Sequence, residues 1–195
     1  MFCGKDTLTM DEKKPRRISI AVDMDGVLAD TETHFIQYYE KESGEKVDRN
    51  TLLGKPESLA FPDHTAVRRY VHTPGFFRSL PLIEGGPQAI KTLMIDFDVY
   101  IVSAAMEFPL SLYEKKQWLE EHFPFISWKN IVFCGDKSII KTDYMIDDHL
   151  KNLDNFSGIP LMFTASHNVY VNQYHRLNNW DEILDYFKKL HTSNA

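Results

Sequence analysis

The sequence predicts a doubly wound α/β protein: a parallel sheet with helices on both faces, and a small helical cap inserted after the first strand. Three observations carry this prediction. Five apolar runs are too continuous for half-exposed strands, which favours a sheet covered on both sides. Helical patterns lie between those runs, and such alternation marks a parallel α/β architecture. The interval between the first and second runs is far longer than one crossover helix needs.

Residues 1–17 ("MFCGKDTLTMDEKKPRR") are polar and are read as a loose tail outside the fold. The first strand is "ISIAVD" (Ile18–Asp23), and the core is expected over 18–30 and 83–195. The cap, expected over 31–82, contains two helical patterns, "TETHFIQYYEKESGEKV" and "HTAVRRYVHT", with breakers at Gly44, Gly54, Pro56, Pro62 and Pro74. Placed at the carboxyl end of a strand, it lies where open α/β sheets bind ligands, and can act as a lid.

"GGPQAIKTLMID" follows as a helix, with Pro87 near its start and Ala89, Ile90, Leu93 and Met94 at helical spacing. The second strand is "FDVYIVS" (Phe97–Ser103). The helix "SLYEKKQWLEEHF" is expected to turn Leu112, Trp118, Leu119 and Phe123 inward. Three more strands are "NIVFCG" (Asn130–Gly135), "DYMIDD" (Asp143–Asp148) and "IPLMFT" (Ile159–Thr164). "NWDEILDYFKKL" closes the chain with Trp180, Ile183, Leu184, Phe187 and Leu190 on one stripe.

The bulk numbers bound the function. A chain of 195 residues suits one domain with a modest insertion, and 43% hydrophobic content supports a real core. A net charge of −6 argues against a binder of polymeric nucleic acid. The two cysteines, Cys3 in the tail and Cys134 in a strand, make no disulfide framework and point to a reducing, cytoplasmic compartment. No apolar run approaches the roughly 18 residues of a membrane helix.

Three predicted strands end in polar residues: Asp23-Met24-Asp25-Gly26, Ser103, and Asp147-Asp148. Asp136-Lys137 lies just before the fourth strand. In a parallel sheet these ends share one rim. Clustered carboxylates must be protonated or share a cation. Mg²⁺ fits aspartates better than zinc does, since no Cys/His ligand spacing is present. A metal plus a lysine can neutralise a phosphoryl group, and an aspartate can attack it. A second carboxylate two residues on points to the same side and can move the proton.

These four ordered elements resemble the motifs of haloacid-dehalogenase-superfamily phosphatases, over about Ile18 to Thr164. "DMDGVLAD", "DVYIVSAA", "YEKKQWLEEHF", "DKSIIKTDYMIDD" and "LMFTASHN" are similar to the 5′(3′)-deoxyribonucleotidases of the cytosolic and mitochondrial type. The resemblance implies an α/β core with a helical cap, and Mg²⁺-dependent hydrolysis of nucleoside monophosphates, deoxy forms preferred, through an aspartyl-phosphate. It implies Asp23 as nucleophile and Asp25 as general acid and base. Asp23, the Asp25 carbonyl and Asp147 would hold Mg²⁺, with Asp148 supporting the metal; Ser103 and Lys137 would bind phosphate. The partner is then a small phosphomonoester, with no polymeric nucleic acid and no membrane; a homodimer is an open assembly.

The chain departs from that pattern twice. Glu107 stands where animal members carry a phosphate-contacting lysine: either it points away, or Lys115 or Lys116 compensates, or the substrate differs. Thr31 stands where they place a base-stacking aromatic. A sugar or coenzyme phosphate is therefore an alternative substrate, and an inactive Mg²⁺/phosphate-binding module a further one.

Other residues have plainer readings. His167 is read as a hydrogen-bonded loop histidine and Cys134 as a small core residue. Phe61, His64, Tyr70, His72, Phe76 and Phe77 are read mostly as packing residues of the cap, and Arg68-Arg69 as a solvated helix face.

Overall fold

The β-branched and apolar run after Arg17 forms β1 (Ser19–Asp23), and its alternation distributes side chains to two faces. Ile20 and Val22 enter one apolar cluster, while Ala21 enters another on the opposite side. The computed structural model of the chain describes residues 16–194. β1 pairs with β2 (Asp98–Ser103) on one side and β4 (Tyr144–Asp147) on the other, all parallel. β3 (Ile131–Phe133), β5 (Ile159–Phe163) and β6 (His175–Leu177) complete the order β3-β2-β1-β4-β5-β6. This is the doubly wound sheet expected from the sequence. β6 was not expected: it has three residues, two of them His175 and Arg176, so it carries no apolar run.

The chain winds outward from β1 in both directions, so crossovers of opposite travel cover opposite faces. α3 (Gly86–Asp96), α4 (Ser111–His122) and α6 (Trp180–Asn194) contribute to the larger cluster. α5 (Leu150–Leu153) contributes Leu153 to the smaller one. The reversal of direction lies between β1 and β4, where open sheets of this kind leave a crevice at the carboxyl ends. Register puts Val22 opposite both Ile101 and Ile146, so Asp23, Ser103 and Asp147 emerge at nearly one level.

Between β1 and α3 the chain forms α1 (Thr31–Ser43), α2 (Ala66–Val71) and several short 3₁₀ turns. The Asp30 carboxylate accepts from the Thr33 amide at 2.9 Å and caps α1. Gly44, at φ 75°, ends it. Arg69 is not simply solvated: its guanidinium bridges Glu42 at 2.9 Å and Asp63 at 2.7 Å, tying α2 to α1. Trp118 of α4 is wholly buried, and its indole N–H donates to the Leu80 carbonyl at 2.7 Å, pinning the end of this stretch to the core.

Two residues read with the loose tail are anchored. Arg16 pairs with Asp143 at 2.7 Å, and Arg17 donates to the carbonyls of Met94, Ile95 and Phe97 at the end of α3. Helix ends leave carbonyls without partners, and a guanidinium satisfies several at once. Cys3 lies outside the described residues. Among the described residues, no helix is long and apolar enough to cross a membrane.

Candidate active site

At the tip of β1, Asp23 is buried. Its Oδ1 accepts from the Met24 amide at 2.6 Å and meets the Lys137 ammonium at 2.6 Å. The same ammonium reaches Asp147 Oδ2 at 2.6 Å, so Lys137 bridges the ends of β1 and β4. Asp147 is fully engaged. Oδ1 accepts from the His149 amide at 2.9 Å, and the Asn152 side-chain amide donates to both oxygens at 2.9 and 3.0 Å. Asp148 is also buried, but its Oδ1 has no hydrogen-bond partner.

Gly26 makes room for this packing. It sits at φ 73°, and a Cβ there would run into the Asp148 carboxylate. Carboxylate oxygens of Asp23, Asp147 and Asp148 all lie within 4.8 Å of one another.

Asp25 faces the other side of the rim. Its Oδ2 receives the Lys115 ammonium and lies 3.5 Å from Ser103 Oγ, while Oδ1 is buried without a partner. Lys115 also donates to Ser103 Oγ at 2.9 Å and lies 4.8 Å over the Phe77 ring. Thus Lys115, one of three readings left open by Glu107, is the buried cation that reaches the site. Lys116 pairs instead with Glu120 on the surface. Glu107 is exposed at the cavity rim, away from these pairs.

The electrostatics follow from burial. Burial pushes Asp23 up to about 8; Lys137 pulls against it, and Asp147, Asp148 and Asp25 push the same way. Burial also pushes Asp148 up to about 6, against the pull of His149 and His167. Lys137 is held above its ordinary value, because Asp23 and Asp147 outweigh burial. Fully ionised, the four aspartates would exceed the ammonium groups of Lys115 and Lys137 by two negative charges, a repulsion that protonation of Asp23 or a bound cation relieves.

A second constellation adjoins the first. Glu57, from a 3₁₀ turn between α1 and α2, lies 3.2 Å from His149 Nε2 and 3.3 Å from His167 Nδ1. Burial drives His149 down, but Asp148 and Glu57 outweigh it and raise it to about 10. Burial drives Glu57 up, yet the two imidazoles hold it at about 2. His167 donates from Nε2 to the Asp148 carbonyl at 2.9 Å, in the hydrogen-bonded loop the sequence suggested.

A cavity of about 210 Å³ opens over Asp23, Asp25, Lys115 and Lys137. Phe35, Phe76, Phe77 and Phe108 give it an aromatic wall, and Thr31 and Glu107 border it. A larger hollow of about 440 Å³ lies beyond Glu57 and is lined by neither Asp23 nor Asp25.

All the residues singled out in the sequence, Asp23, Asp25, Ser103, Lys137, Asp147 and Asp148, therefore meet at one rim. Lys115 was recognised only as a possible substitute. Its signal was its place on the stripe of Ser111, Trp118 and Leu119, where an inward lysine must find a partner. The half-buried Leu112, expected inside, lies off that stripe. Asn152 and Glu57 left no comparable signal.

Known proteins bear on this geometry. The family model for "5' nucleotidase, deoxy (Pyrimidine), cytosolic type C protein" matches residues 16–191. A relative from Staphylococcus epidermidis strain ATCC 12228, provisionally named a 5'(3')-deoxyribonucleotidase, is 39% identical over 175 residues, covering 89% of this chain and 98% of its own. The 5'(3')-deoxyribonucleotidase of Bacillus subtilis strain 168 is 39% identical over 164 residues, covering 84% and 95%. Among solved structures, a HAD family hydrolase from Deinococcus radiodurans R1 with bound phosphate and sodium aligns at TM-score 0.60 and 12% identity, over 88% and 95% of the two chains. That last likeness concerns the fold alone. With the carboxylate rim at the switch point of a haloacid-dehalogenase-like sheet, this chain belongs to the cytosolic type C 5'-nucleotidase family and is a phosphomonoester hydrolase.

Proposed function

We propose that the protein hydrolyses deoxyribonucleoside monophosphates with Mg²⁺, through an aspartyl-phosphate on Asp23. The observation that carries this reading is the pairing of two differently held aspartates at one strand tip. Asp23 Oδ1 is occupied by Met24 and Lys137. Those contacts leave Oδ2 for attack on phosphorus. Asp25 lines the cavity with one carboxylate oxygen unpartnered, and its carboxyl group would protonate the leaving oxygen and then take a proton from water.

The donor set fits a hard divalent cation. Asp23, Asp147 and Asp148 converge, and Asp148 Oδ1 is a buried acceptor with nothing to accept. The contacts refine the expected ligand roles. Asp147 is saturated by Lys137, His149 and Asn152, so Asp148 is the better direct ligand, and Asp147 orients Lys137. Asp23 and the Asp25 carbonyl would complete the protein's share. When bound, Mg²⁺ neutralises phosphoryl charge. Ser103 and Lys115 hold Asp25, and Ser103 and Lys137 face the phosphoryl position.

The nucleotide reading rests on the relatives' names and on the aromatic wall. Phe35, one helical turn after Thr31, supplies a ring to the same cavity, so the missing aromatic at position 31 does not leave the cavity without a stacking face. A cytoplasmic location fits the buried free thiol of Cys134.

The test is a phosphate-release panel of 5′- and 3′-deoxyribonucleotides, ribonucleotides, and sugar and coenzyme phosphates, with Mg²⁺ or chelator. Turnover of deoxyribonucleotides with Mg²⁺ and none with chelator is expected, and Asp23→Asn should lose about 10³-fold or more in kcat. Full activity of Asp23→Asn, or a sugar phosphate as the best substrate, would refute the reading.

A further inference from the structure

Glu57, His149 and His167 resemble a metal-ligand triad in composition. The two imidazoles are stacked, however, with centroids 4.4 Å apart and planes 15° apart. Lone pairs lie in the ring planes, and nearly parallel planes do not meet on one nearby ion. What the geometry does support is a mechanical link. Glu57 comes from the helical stretch between α1 and α2, whereas both histidines belong to the sheet's carboxyl rim.

From Glu57 two short paths run to the turn Asp147-Asp148-His149. In one, Glu57 Oε1 holds His149 Nε2 at 3.2 Å, and the His149 amide donates to Asp147 Oδ1 at 2.9 Å. In the other, Glu57 Oε1 lies 3.3 Å from His167 Nδ1, and His167 Nε2 donates to the Asp148 carbonyl at 2.9 Å. The Asn168 side-chain amide joins that carbonyl at 2.8 Å. Each path ends on one of the aspartates proposed to serve the metal. Glu57 also borders both cavities, so it stands at the seam between the insertion and the core.

We infer that Glu57 is a positioning residue, which fixes the Asp147–His149 turn from the helical insertion and so completes the metal site only when that insertion is docked. The inference rests on the metal reading above. It explains why a carboxylate lies so near an already acidic cluster: it grips the cluster's two histidines rather than its ligands. Outer partners that orient metal ligands typically carry a tenfold or larger share of metal affinity.

The experiment uses the full chain without substrate. Mg²⁺ binding is measured by calorimetry, and hydrogen exchange is measured on the amides of residues 147–153, for wild type, Glu57→Ala, Glu57→Gln and a control, Glu42→Ala. Glu57→Ala should weaken Mg²⁺ about tenfold and speed exchange in 147–153 before metal is added. Glu57→Gln should fall between. Glu42, which pairs with Arg69 within the insertion, should leave both readouts unchanged. Wild-type exchange over 147–153 in Glu57→Ala, or the same change in Glu42→Ala, would overturn the inference. Failure of wild type to bind Mg²⁺ would instead refute the metal reading, and the exchange comparison would still decide whether Glu57 positions the turn.

Discussion

At the scale of single residues, the site is built by giving chemically identical groups different partners. Asp23 and Asp25 are two residues apart, yet Lys137 holds one and Lys115 the other. Lys115 is buried from α4, while Asp25 keeps 31% of its side chain exposed. Replacing Lys115 by Met should therefore destabilise the fold by roughly 1–3 kcal/mol, less than the roughly 3–5 kcal/mol of a fully buried pair. It should also lower kcat by about 10- to 100-fold, because Asp25 loses the partner that fixes its carboxyl beside the cavity. Thermal unfolding and steady-state kinetics on the same preparation check both. Asp147 illustrates the limit of sequence reading at this scale. Its identity as a site residue was visible at the end of a strand, but its saturation by Lys137, His149 and Asn152 depends on groups two to ten positions away that only the turn brings round.

At the scale of elements, the loop after β1 and the anchoring of its start deserve separate tests. Gly26 lies at positive φ with the Asp148 carboxylate where a side chain would stand. Gly26→Ala should cost about 1–3 kcal/mol in backbone strain and displacement, and should weaken Mg²⁺ binding by moving Asp148. Circular dichroism melts and calorimetry separate the two effects. At the opposite end of β1, Asp143 accepts from the Ser19 amide at 2.8 Å and pairs with Arg16. Burial pushes its carboxyl up, but the Ser19 and Arg16 bonds outweigh burial and hold it below the usual 3.8. A depressed carboxyl contributes its full stability above its unfolded value and loses it as pH falls through the folded one. Asp143→Asn should thus lower stability at pH 7 by about 1 kcal/mol, and the gap from wild type should narrow as the pH drops below 3.8. Melting curves of both proteins over that range give the comparison. The helices and most strands were legible because their apolar spacing is periodic. β6 was not, since three residues at a sheet edge are held by pairing with β5 and by the Arg176 guanidinium reaching the Asn168 and Val171 carbonyls.

At the scale of the whole molecule, the winding of the sheet puts β1 and β4 side by side at the switch point, and residues between β1 and α3, Phe35, Glu57 and Phe76 among them, line the cavity over their tips. A cation bound there is bound only by the folded chain. Mg²⁺ should therefore raise the melting temperature, by an amount equivalent to about 2.7 kcal/mol at a hundredfold excess over its dissociation constant. The shift should shrink in Asp148→Asn and vanish with chelator; an unchanged shift in that variant would remove Asp148 from the ligand set. The sequence by itself determined the fold class and singled out the aspartates, the serine and the lysine that meet at one rim, because strand tips in a parallel sheet share that rim. Tertiary structure decided the rest. It chose Lys115 over Lys116 as the buried cation, since helix phase turns one inward and the other out. It left Asp148 rather than Asp147 with an oxygen to spare, and it brought Glu57 across some ninety residues to His149. Helix phase is a local pattern, but which donors saturate Asp147 and what stands opposite Glu57 depend on packing between distant segments, which no local pattern encodes.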